Sequence, residues 1–76
     1  MKNTEVVVHI NEELNKQHRD DLSQKVCKLA GVVSAKLPDK QPHLMIVGFN
    51  SETTKSLQVL NGVKDSGVHA QLVGWL

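Results

Sequence analysis

The apolar positions of this chain fall into six blocks, and the spacing inside each block indicates the element it forms. Segment 5–10, EVVVHI, is β-branched and bounded by polar residues, which predicts a strand. Val6, Val8 and Ile10 alternate with Val7 and His9, so the first set faces a core and the second faces away. Over 14–31 the period lengthens. Leu22, Val26 and Leu29 recur at i, i+4 and i+7, the apolar stripe of a helix. Asn15 suits the N-cap, Lys25 and Lys28 the last turns, and Gly31 the C′ position. Cys27, beside Val26, reads as a small buried residue.

Segment 32–37 predicts a second strand, PDKQP at 38–42 a turn, and 43–50 a third strand with Met45, Val47 and Phe49 inward. Residues 51–67 predict a second helix, capped from among Ser51 to Thr54 and closed by Gly67, with Leu57, Val59, Leu60 and Val63 on its apolar face. The last strand, 68–75, puts Val68, Ala70 and Leu72 inward and His69, Gln71, Val73 and Trp75 outward. The order βαββαβ with right-handed crossovers predicts an α+β, ferredoxin-like sandwich. Its four-stranded antiparallel sheet carries both helices on one face. The first and last strands are neighbours, the second strand is a free edge, and residues 1–76 make one domain.

Composition narrows the class. With 39% hydrophobic residues, one Phe, one Trp and no Tyr, the core is built from Val, Leu, Ile and Ala. Such a domain is stable by only about 5 kcal/mol. The net charge of +1 argues against nucleic acid as a partner, and aromatic platforms for single strands are missing. The single Cys27 excludes an intrachain disulfide and a thiolate-only metal site within one chain. The start, MKNTEVVVHI, lacks a secretory pattern, and no apolar run approaches a membrane span. A cytoplasmic protein with no membrane insertion is expected. Neither a Ser-His-Asp arrangement with a supporting motif nor a phosphate loop is present, so an enzyme is not expected.

Four stretches carry a likeness to a known family: LAGVVSAKL (29–37), VGFN (47–50), the pattern Leu57-x-Val59-Leu60-x-x-Val63, and SGVHAQLVG (66–74). In these the chain resembles the heavy-metal-associated domains of metallochaperones and metal-pump N-termini. The likeness spans most of the chain and consists largely of packing residues. It implies the same ferredoxin-like fold. It also implies a functional motif, M-x-C-x-x-C, at the first loop and helix start, where two thiolates hold Cu(I) or Zn(II). Counting back from Gly31 by the family's spacing puts Glu13 at the Met, Asn15 at the first Cys and His18 at the second. The resemblance therefore stops at the chemistry.

Other ligands for a transition metal ion are few. His18 and Asp21, at i and i+3 on the helix, with Glu13 from the loop, make a candidate set for a borderline ion such as Zn(II) or Ni(II). A solvated helix face with local ion pairing is the competing account. Cys27 lies nine residues beyond His18, about 13 Å along the axis, too far to share an ion. His9 and His69, on adjacent strands and the same open face, make a candidate surface pair, with two unrelated solvated rings as the alternative. No cofactor is certain from these residues.

The sheet face without helices gathers Val7, Leu44, Ile46, Val73 and Trp75. A contiguous apolar patch of this kind marks an interface. Two functions follow. One is a non-enzymatic protein-interaction module docking a protein partner or a second copy through this face. The other is a carrier or sensor of a borderline metal through His18 with carboxylates or a second chain.

Overall fold

The computed structural model describes residues 3–38, 40, 41 and 43–75, with the backbone alone described at Trp75. Along these residues the order is β1 (Asn3–Ile10), α1 (Lys16–Cys27), β2 (Val32–Lys36), β3 (Leu44–Asn50), α2 (Ser56–Asp65) and β4 (Ala70–Trp75). The strands form one antiparallel sheet in the order β2-β3-β1-β4. This is the expected βαββαβ sandwich, with β2 and β4 at the edges.

The alternation expected of the strands holds through the two central ones. Val6, Val8 and Ile10 of β1 and Met45, Val47 and Phe49 of β3 are all buried. Leu22 and Val26 of α1, Val59, Leu60 and Val63 of α2 and Ala35 of β2 complete the core. The driving force is the removal of these aliphatic side chains from water, about 1.5–3 kcal/mol for each fully buried Val, Leu or Ile.

Two expectations about helix faces are corrected. Cys27 is exposed, and Leu57 is 62% exposed. Cys27 follows the buried Val26, and Leu57 falls within a broad apolar face, but at about 100° per residue each lies roughly 110–120° from the centre of its helix's buried face. For Cys27, adjacency in sequence is not adjacency on a helix; for Leu57, the buried stripe of Val59, Leu60 and Val63 is narrower than the apolar pattern suggested.

Both helices are also shorter than the apolar pattern suggested. After α1 the chain tightens through residues 28–31, where Gly31 takes φ 84. A side chain there would meet Thr54 Cγ2 at 2.9 Å. Gly31 O accepts from Asn50 N at 2.7 Å, which ties the end of α1 to the end of β3. Ser51 to Thr53 form a turn rather than helix, with Thr53 N and Thr54 N both donating to Asn50 O. The start of α2 is instead organised by Gln58, whose Oε1 accepts from Lys55 N at 3.0 Å and from the Thr54 hydroxyl at 2.9 Å.

Both edge strands carry a bulge. In β2 the pairing steps from Val32↔Phe49 to Ser34↔Gly48, leaving Val33 extra. In β4 it steps from Leu72↔Val8 to Gly74↔Val7, leaving Val73 extra and bringing Trp75 opposite Val6. Despite this register shift the alternation expected over 68–75 holds in burial at the described positions, with Val68, Ala70 and Leu72 against the core and His69, Gln71 and Val73 exposed. The expected outward placement of the Trp75 side chain lies outside the described residues, as do the parts of the 38–42 turn at Asp39 and Pro42.

Candidate functional site

The antiparallel order brings all four histidines toward one end of the molecule. His9 is near the end of β1, His18 is in the first turn of α1, His43 immediately precedes β3 and His69 immediately precedes β4.

The corner between β1 and α1 is built around Asn15. Its backbone is extended, at φ −74 and ψ 174, and its side-chain oxygen accepts from His18 N at 2.8 Å. Its carbonyl takes the first helical bond, from Arg19 N. The amide thus satisfies one of the free donors at the helix start. Asn15 and His18, the two positions at which the sequence spacing leads one to expect the motif's thiolates, are joined here by a capping bond.

Around this corner His18 and Asp21 line one cleft of about 230 Å³ with Leu14, Leu22, Lys25, Ser66 and Val68. Glu13 is exposed and does not line that cleft. The lysine in the lining opposes a cation. Cys27, the single thiol, stands exposed at the far end of α1. Among the described residues, no three His, Cys, Asp or Glu side chains cluster closely enough to hold a metal ion. This donor set does not fit a dithiolate Cu(I) site, which requires two soft ligands at one point.

The structure gives His9 and His69 separate partners. His9 pairs in register with Gln71, and its ring stacks on His43, with centroids 5.9 Å apart and 15° between the planes. His69 is held by Glu12. Its backbone N–H donates to both carboxylate oxygens, at 2.9 and 3.1 Å, and its Nδ1 lies 2.7 Å from Oε2. The hydrogen bond from the His69 ring, then that from its backbone, hold the Glu12 carboxyl below its ordinary pKa. Sequence reasoning missed both contacts. Glu12 and His69 are 57 positions apart. The His9–His43 stack depends on the β1–β3 register, which sets His9 opposite Leu44.

On the open face, Val7, Leu44 and Ile46 are half-buried, while Val73 and the bulged Val33 are 53% and 60% exposed. Glu5 and Lys36 flank this strip, paired in register with Gly48 and Ile46 respectively. Gly48 leaves room for its neighbours, since a Cβ there would meet Ser34 Oγ at 2.7 Å and Val33 Cγ2 at 3.4 Å. Among the described residues, no helix is long and apolar enough to cross a membrane.

Taken together, the strand order and the helix placement are those of the heavy-metal-associated domains. The copper-binding domain of HMA7, a P-type ATPase, superposes with a TM-score of 0.86 at 15% identity, over 95% of this chain and 96% of that one. The N-terminal domain of a potential copper-translocating P-type ATPase from Bacillus subtilis, in its Cu(I)-loaded state, gives 0.84 at 15% identity, over 99% and 92%. Oxidized MerP from Ralstonia metallidurans gives 0.82 at 13% identity, over 93% and 97%. At these identities the likeness is one of fold. No family model and no curated protein matches the sequence.

Proposed function

We propose that this chain is a non-enzymatic, cytoplasmic domain of heavy-metal-associated fold that acts as a protein-interaction module through its open sheet face. The observation that carries the reading is the 2.8 Å bond from His18 N to the Asn15 side chain. It uses the old ligand corner to start a helix. The solved structures named above include copper-binding domains, yet this chain has a single thiol and keeps it at the other end of α1. What remains distinctive is the apolar strip of Val7, Leu44, Ile46, Val33 and Val73.

A second copy is the first occupant to test, because the face carries an acidic and a basic residue, Glu5 and Lys36, beside an apolar strip, as a self-complementary contact requires. Sedimentation across a concentration series is expected to show the mass rising from 8.4 kDa toward twice that value. Ile46→Lys should keep the chain monomeric. A wild-type monomer at every concentration, with unmoved amide signals at Val7 and Ile46, would exclude the second copy.

The second reading, a carrier of a borderline metal, has one observation in its favour: His18 and Asp21 share a cleft. His18→Ala separates the two, since it should abolish metal binding under this reading and leave self-association intact under the first.

A further inference from the structure

We propose that Glu5 and Lys36 direct two copies of this chain to dock open face to open face, each carboxylate meeting the ammonium of the second copy across a two-fold axis that passes between Ile46 and Gly48. This rests on the reading of the open face as an interaction surface and goes beyond it by assigning which residues meet. Strand register places them. Lys36 of β2 stands beside Ile46 of β3, which stands beside Val7 of β1. One step along the same face, Ser34 stands beside Gly48, and Gly48 beside Glu5. Side-chain atoms of Ser34, Val33 and Glu5 lie 2.7, 3.4 and 3.8 Å from where a Cβ of Gly48 would be, which sets Glu5 on the open side. Lys36 shares that side, because its neighbour Ala35 is buried. Both charged side chains are exposed. Among the described residues, neither has an ion-pair partner within the chain.

Adjacent strands lie about 4.8 Å apart, and alternate residues about 6.8 Å apart along a strand. On that lattice Lys36 and Glu5 are separated by about 12 Å at the backbone, on either side of β3. Two copies packed face to face are related by a two-fold axis lying in the plane between them. When that axis bisects the line from Glu5 to Lys36, the same rotation sets Ile46 against Val7 of the second copy and Gly48 against Ser34. It also sets Leu44 against Val73, which stands at the bulge beside Val7. An axis chosen from the two charges alone therefore brings apolar side chains onto apolar side chains and small residues onto small ones. Facing sheets pack about 10 Å apart, a gap that a lysine and a glutamate span together. An acid and a base placed symmetrically about an apolar strip are what a second copy requires, and a foreign apolar surface gives no reason for them. The charges act mainly on orientation and specificity, while the apolar strip supplies the burial.

The test is charge reversal, read by sedimentation equilibrium of the full chain. Wild type should self-associate, and less tightly as salt is raised. Glu5→Lys and Lys36→Glu should each weaken self-association by about tenfold or more, because like charges then face each other at both ends of the contact. An equimolar mixture of the two variants should associate about as tightly as wild type, since every contact in the mixed dimer again pairs opposite charges. The double reversal, Glu5→Lys with Lys36→Glu, should do the same on its own. Both positions are exposed, so the reversals leave the fold intact, which the amide spectrum of each variant checks. A wild type that dimerises and loses the dimer in Ile46→Lys, yet ignores the charge reversals, would overturn this arrangement and leave the open face as the docking surface. So would a mixture that associates no more tightly than either variant alone. A wild type that stays monomeric at every concentration would overturn the second copy itself and assign the face to a different protein.

Discussion

At the scale of single residues, Asn15 holds the start of α1 with one short bond. Its removal should cost about 1 kcal/mol, the usual worth of a side-chain N-cap. Urea denaturation of Asn15→Ala checks this, and an unchanged midpoint would show that the cap is not needed. Glu12 sets a different dependence. Its folded pKa is depressed, chiefly by the His69 ring and then by the His69 backbone. A depressed carboxylate contributes stability that is present above the ordinary carboxylate range and lost as pH falls through the folded value. The stability gap between wild type and Glu12→Gln should therefore be open at neutral pH and close in acid. A gap that persists below the carboxylate range would mean that Glu12 acts through something other than its charge. The Asn15 cap was legible in the sequence because N-capping is a local property of residue type and position. The Glu12–His69 contact was not, because it depends on the loop after β1 and the lead-in to β4 meeting in space.

Elements follow the same division. The central strands were legible because β1 and β3 each keep a clean alternation, and each buries its inward set. Helix faces were legible only in part. Cys27 was assigned inward from its neighbour Val26 and Leu57 from too broad an apolar face, although their angular positions turn both to solvent. That difference has a direct consequence. Leu57→Ala should change stability by no more than about 0.5 kcal/mol, as at other open surface sites. Met45→Ala, fully buried near the start of β3, should cost about 2–5 kcal/mol through lost burial and the cavity left behind. Thermal or urea unfolding of the two variants decides it, and equal losses would contradict the observed faces. The edge bulges at Val33 and Val73 were not legible. Bulges bend and twist the edges of a sheet, which hinders edge-to-edge pairing, and they leave no reliable mark in a short β-branched run.

For the whole molecule, the fold and the function part company. The order β2-β3-β1-β4 with two crossover helices reproduces the architecture of the copper-binding domains named above, at 12–16% identity among the solved structures compared. Packing residues were enough to specify it, which is why the resemblance could be read from stretches such as LAGVVSAKL and VGFN. Function rests on a few positions, which packing residues do not specify. Fold alone does not carry an activity, and at the β1–α1 corner this chain shows a helix start capped by Asn15, with its single thiol at the other end of α1.

The most direct measurement is a Cu(I) titration of the reduced protein, read by amide NMR around Glu13, Asn15 and His18. The expected result is no localised change at these residues, with the Asn15–His18 cap intact throughout. Submicromolar binding with shifts confined to this corner would contradict the account, because it would make the β1–α1 corner a working metal site rather than the start of a helix.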